Sequence, residues 1–193
     1  MMLLRDLLIG LDACDEAILW AGQRRVSRAS WIASERGDWL LWLVATLGVD
    51  QRLVVLAACD CAREALSQVP AGDDLPRLAI EAAEAWTRGE VSGAVVREAA
   101  TVCYAAEYTS YAGAGRSGTG CVAGAAACAA STVANADGAV AYGAARGGSL
   151  RRGAHIVRDR IPWDLVADAI EVLPRAPIRA AVARHALLRR PIE

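Results

Sequence analysis

Residues 73–90 hold a helix start, an amphipathic body and a helix stop in one stretch, and they commit the middle of the chain to an α-helix. The run is Asp73-Asp74-Leu75-Pro76-Arg77-Leu78-Ala79-Ile80-Glu81-Ala82-Ala83-Glu84-Ala85-Trp86-Thr87-Arg88-Gly89-Glu90. Asp74 stands where a carboxylate caps the orphan N–H groups of a first turn, and Pro76 is tolerated there because its missing N–H has no partner to lose. Ala79, Ala83 and Trp86 fall on one face, so Trp86 is expected to close the buried side, while Gly89 suits the left-handed residue that ends a helix. Arg77 with Glu81, and Glu84 with Arg88, stand four residues apart and are expected to pair, each pair worth about 0.2–0.5 kcal/mol.

The same period runs through the rest of the chain. Leu4, Leu7, Leu8, Leu11, Cys14 and Ile18 predict an amphipathic helix over about 2–23, broken by the Gln23–Ser30 stretch. Trp31 is placed on a short helix. Gly37-Asp38 opens the next, which carries Trp39, Leu40, Leu41, Trp42, Leu43, Val44 and Leu47 to a stop at Gly48. Being apolar nearly all round, it is a buried helix with both tryptophans in the core. Asp50 caps a helix over about 51–68, and Ser92 opens one reaching about Ala112. From Gly113 to Gly148 the chain turns to alanine and glycine, which suits a helix or two only where neighbouring backbones come close. Arg151–Arg160 and Ile161–Leu173 are two short helices divided at Pro162, and Ile178–Arg190 is a basic helix or a frayed tail. Leu53-Val54-Val55-Leu56 is the one strand-like run, and the alanines after it favour helix. The expected fold is all-α: one domain over residues 1–193, with 178–193 as a basic tail. Roughly eight helices form an orthogonal bundle or a short solenoid-like stack.

Charge excludes more than it selects. All 21 basic residues are arginine against 22 acidic residues, a net charge of −1, which gives nucleic acid no general electrostatic hold. The first 110 residues carry 16 acidic residues and 10 arginines, and the remainder 6 and 11. Arg151, Arg152, Arg158 and Arg160 are the strongest basic cluster, a weak case for a nucleic-acid face. Six cysteines invite a disulfide reading, but Arg5, Asp6 and Asp12 interrupt the N-terminal apolar run, so no export signal is read there; a cytoplasmic protein with reduced thiols is expected. The uncharged run Ser117–Ala136 is too rich in Ala, Gly, Ser and Thr to gain much on entering a bilayer, so no membrane span is expected.

No residue set assembles a reaction. Cys59 and Cys61 stand too close in sequence for a zinc knuckle and point to different faces of a helix, and His155 and His185 lie far downstream. A Cys103–His155 pair lacks any local activating group. Neither metal nor cofactor is expected, and the acidic group Asp73, Asp74, Glu81, Glu84 and Glu90 lacks the Glu-x-x-His spacing of a carboxylate-bridged site. Tyr104, Tyr108 and Tyr111 recur at helical spacing; such a stripe is ordinary packing or, on a free face, a partner contact. Asp73, Asp74, Glu81 and Glu84, with Tyr104, Tyr108 and Tyr111, are therefore the candidate partner-binding residues.

Gly37-Asp38-Trp39-Leu40-Leu41-Trp42-Leu43, the 73–90 block, the alanine-rich helix after it and Ile161-Pro162-Trp163 together resemble alanine-rich all-helical proteins of bacteria and phages that are labelled putative immunity proteins. The resemblance covers about residues 37–172. It implies an all-α, non-enzymatic protein that binds a protein partner: an immunity-type inhibitor of a toxin, or a phage-borne inhibitor of a host defence protein. It transfers no catalytic residue. The glycine-rich 113–148 region departs from the cleaner alanine-rich helix of the pattern. The competing class is an enzyme or small-molecule binder with a pocket between helices, built on Cys103, the tyrosines or His155.

Overall fold

Every regular element among the described residues is helical, in a computed structural model that describes residues 2–69, 71–114, 128–132 and 148–188, with 106–114 as backbone alone. Among the described residues the helices α1 (Leu4–Gly10), α2 (Asp15–Ala21), α3 (Arg28–Ala33), α4 (Gly37–Thr46), α5 (Gln51–Arg63), α6 (Leu75–Thr87), α7 (Gly93–Ala114), α8 (Leu150–Arg160), α9 (Trp163–Glu171) and α10 (Arg175–Leu188) follow in order, with a 3₁₀ turn at Leu66–Gln68. The Gly/Ala-rich stretch lies largely outside the described residues. Its residues 128–131 are helical, and the Thr132 carbonyl accepts from Gln51 Nε2 at 2.9 Å.

The helices group into two compact units, residues 1–33 with 167–193, and residues 34–166. In the first, the single helix expected over 2–23 is two. Asp12 takes the left-handed conformation (φ 60°), and Ala13 N–H closes onto the Leu8 carbonyl at 2.9 Å, so the chain turns back. Residues 24–26 then pair beside 2–4, with Leu4 N–H on the Arg24 carbonyl at 2.8 Å and Val26 N–H on the Met2 carbonyl at 3.1 Å. The apolar period continued through the break because Leu7, Leu8 and Ala17 line one interior on both sides of it. The basic tail is the helix α10, which packs on α1 closely enough that a Cβ on Gly10 would meet Ile178 Cγ1 at 2.7 Å.

In the larger unit α5 is central. It packs against α4, α6 and α8, while α7 lies on α6 and α4 on α8. The sequence allows this because α5 is small on more than one side: Ala57, Ala58, Cys59, Cys61 and Ala62 are all buried. Cys59 Sγ faces the Ile80 carbonyl of α6 and Cys61 Sγ the Gly153 carbonyl of α8, the two-faced placement their spacing requires. Asp50 caps the helix by accepting from Arg52 N–H at 2.9 Å, and α5 stops at Arg63 rather than 68. In α4, Leu40, Leu41, Leu43 and Val44 are buried, but Trp39 and Trp42 are only half-buried, as is Trp86 in α6. Trp39 lies at the boundary with solvent beneath the Arg36 guanidinium, 4.3 Å from its ring centre. Asp38, fully buried, holds that guanidinium by two bonds of 3.0 and 2.9 Å.

Candidate functional site

The N-terminal end of α6 presents an acidic surface. The predicted cap is taken by the neighbour: Asp73 Oδ1 accepts from Leu75 N–H at 3.2 Å, while Asp74 turns to Arg77 at 3.0 Å. Arg77 also donates to both Glu81 oxygens at 2.8 and 2.9 Å, so one cation serves two carboxylates and, with Asp73, the group is left with an excess of negative charge. These side chains are 44–66% exposed, where water and salt screen the pairs and leave them little stabilising value.

Glu84 belongs to a different arrangement. It accepts two bonds from Arg63 of α5, at 2.8 and 2.7 Å, with its own side chain only 19% exposed. The expected Glu84–Arg88 pair is absent: Arg88 bonds Glu90 at 2.8 Å, which lowers the Glu90 pKa below the usual carboxylate value, while Glu84 bridges two helices. An i,i+4 partner on a helix surface loses to a fork-shaped partner across a helix interface, where both carboxylate oxygens are satisfied in a partly desolvated setting. Glu84 is thus a brace of the fold.

Between α6 and α7 lies a shallow apolar groove of about 290 Å³, lined by Leu75, Leu78, Ala79, Val95, Ala99 and Val102 with Glu98 at its edge. Leu75, Leu78, Val95 and Val102 are 38–48% exposed, four large aliphatic side chains turned outward side by side. Sequence reasoning missed them. The signal was present: Leu75 and Leu78 fall off the Ala79–Ala83 face that the core uses, and Val95 and Val102 stand seven residues apart on one side of α7.

Tyr104, on the same helix, is not part of this lining. It is exposed, and its hydroxyl lies 3.4 Å from Cys128 Sγ. The side chains of Tyr108 and Tyr111 lie outside the described residues.

The groups a catalytic pocket would need are placed for other work. Cys103 is buried beneath α6 with its Sγ 3.2 Å from the Leu75 carbonyl; desolvation, reinforced by Asp73, pushes its thiol up to about 11, the wrong direction for a nucleophile. Among the described residues there is no group of three or more metal-binding side chains, and no helix is long and apolar enough to cross a membrane. The basic cluster of α8 is consumed internally. Arg151 pairs with Glu35 at 2.6 Å, Arg152 with Glu64 at 3.6 Å and Arg160 with Asp60 at 2.6 Å, while Arg158 donates to the Ser34 carbonyl at 2.7 Å. Each of these arginines has an acceptor within the chain, so they form no unpaired phosphate-binding face.

Residues 47–154, which include α5, α6, α7 and the first half of α8, match a family model described as Imm-5 like putative immunity protein. No curated protein and no solved structure matches the chain.

Proposed function

Because the chain belongs to the Imm-5 like immunity family, whose model covers more than half of it, we propose that it neutralises a protein effector by stoichiometric binding through the outer surface of α6 and α7. The observation that carries this reading is the row of four half-exposed aliphatic side chains beside Asp73, Asp74 and Glu81, inside the matched segment. Water-exposed aliphatics set together gain about 25 cal/mol for each Å² they bury, so this surface is driven toward a partner. The acidic residues beside it raise the encounter rate with a cationic effector and disfavour an acidic one.

The mechanism is occlusion, and it needs no bond making. The aliphatics supply the affinity, the carboxylates the steering and orientation. Glu84 holds α6 on α5, so that the surface is presented on a braced helix. On this reading the protein acts in the cytoplasm, where its thiols stay reduced.

Co-expression with the product of the adjacent gene tests the reading. Restored growth, together with a one-to-one complex on gel filtration, supports it. Growth arrest unrelieved by the chain, or purified chain that turns over or tightly retains a small molecule instead, overturns it.

A further inference from the structure

The groove dictates what conformation can fill it. Its walls are two helices whose peptide groups are engaged along their own axes, so it offers no unpaired N–H or C=O row to which an extended segment could add. A segment buried there must satisfy its own backbone, and a helix does so.

The lining sets the dimensions. Val95 to Val102 spans seven residues of α7, about 10 Å or two turns at 1.5 Å per residue, with Leu75 and Leu78 opposite. Two turns of a third helix present anchors at i, i+3 or i+4, and i+7 over that length.

The edges set the charge. On the α6 side stand Asp73, Asp74 and Glu81 around the single cation Arg77; on the α7 side is Glu98, with no ion pair to any described residue. A helix seated between them meets acid along both flanks.

Resting on the immunity reading above, we propose that the α6–α7 groove receives one amphipathic helix of the effector, with an aliphatic stripe for Leu75, Leu78, Val95 and Val102 and arginine or lysine on both flanks for Asp74, Glu81 and Glu98. The helix completes a three-helix layer with α6 and α7. Its apolar stripe leaves water, and its flanking cations exchange solvent for carboxylates.

A fluorescent alanine-based peptide of about 18 residues, with leucines at i, i+4, i+7 and i+11 and arginines flanking them, is the probe, titrated by anisotropy against the full chain. One twin carries glutamates in place of the arginines, and another a central proline that breaks the helix. Saturable one-to-one binding is expected. It should weaken at least about tenfold for either twin, and by a similar factor with Leu78→Asp or Val102→Asp, which place a charge against the buried stripe. Leu78 and Val102 are 48% and 44% exposed, so both variants should keep wild-type circular dichroism, and the second serves if the first unfolds.

Absence of saturable binding, equal binding of the proline twin, equal binding of the glutamate twin, or affinity unchanged in both aspartate variants overturns the proposal. So does a chain dimer that Leu78→Asp dissociates, since a second copy then fills the groove. The same variants in the co-expression assay separate the two readings. Protection retained by Leu78→Asp and Val102→Asp removes the groove and leaves immunity standing, whereas peptide binding by a chain that never protects does the reverse.

Discussion

Gly37→Ala is expected to destabilise the larger unit although helix propensity alone says it should help. Gly37 is the first residue of α4, and a Cβ built on it lies 2.6 Å from the Gly153 carbonyl carbon, 2.7 Å from Ala154 N and 2.8 Å from Gly153 Cα. All three are backbone atoms of α8, so no rotamer change gives way. Restoring ordinary contact requires the helices to separate locally by about 0.8 Å, in a region where Leu41, Val44, Ala154 and Val157 are fully buried. Overpacking of this kind costs about 1–3 kcal/mol, against a propensity gain of at most about 0.5–1 kcal/mol that shrinks at a helix end. The net loss is about 1–2 kcal/mol, or roughly 2–8 °C in melting temperature for a chain of this size. Thermal unfolding followed by circular dichroism reads it directly. Gly148→Ala provides the scale: the nearest atom to its Cβ is Glu64 Cβ at 3.2 Å, against 2.6 Å for the closest atom at Gly37, so the neighbour must shift by only a few tenths of an ångström and the loss should be smaller. A Gly37→Ala protein as stable as wild type, or more so, would refute the close α4–α8 crossing.

Glu84→Ala should cost about 1 kcal/mol in urea unfolding, because it strips Arg63 of a two-bond partner in a partly buried setting, while Glu81→Ala should change stability by less than about 0.5 kcal/mol. Equal effects would show that Glu84 is not a brace. Brief maleimide labelling at pH 7.5 with peptide mapping should modify Cys14, which is exposed, well before the buried Cys59, Cys61 and Cys103; early labelling of Cys59 would contradict its placement between α5 and α6. Burial pushes the thiols of Cys103 and Cys61 up to about 11 and about 12 from 9.0, so the folded chain holds these protons more tightly than the unfolded one. The thiols' contribution to stability should therefore be constant below about pH 9 and fall as pH rises toward 11 and 12, by at most about 1.4 kcal/mol per pH unit per thiol; a urea midpoint unchanged between pH 8 and pH 10.5 speaks against it. Neutralising Asp73, Asp74 and Glu81 together should slow effector association in stopped flow and flatten its salt dependence with little change in dissociation; an unaltered association rate would locate the steering charge elsewhere.

Membership of the family predicts binding in general, and the structure narrows where to look. The residue singled out most readily from an acidic patch, Glu84, turns inward to α5, while the aliphatics that pattern reading passes over, Leu75, Leu78, Val95 and Val102, remain outside. These four positions form the surface that the proposed partner would cover.

The local code was legible wherever a residue acts on its own backbone. Asp50 caps α5, Pro76 sits in the first turn of α6, Gly48 and Gly89 take left-handed conformations at helix ends, and the breaks at Gly37 and Pro162 fall where composition puts them. Those outcomes depend on sterics and hydrogen bonds within a few residues, and sequence alone determines them, along with the all-α class. What only tertiary structure decided is which neighbour each side chain meets. The first helix is split at Asp12, and residues 24–26 return to pair with 2–4; Trp39, Trp42 and Trp86 stop half-way to the core; and Glu84 prefers Arg63, 21 positions away, to Arg88 on its own helix. Periodicity states that a face is apolar or charged, but not whether another helix comes to cover it. Contacts between distant segments are fixed only when those segments pack, and among the described residues that packing leaves an apolar face between α6 and α7 exposed.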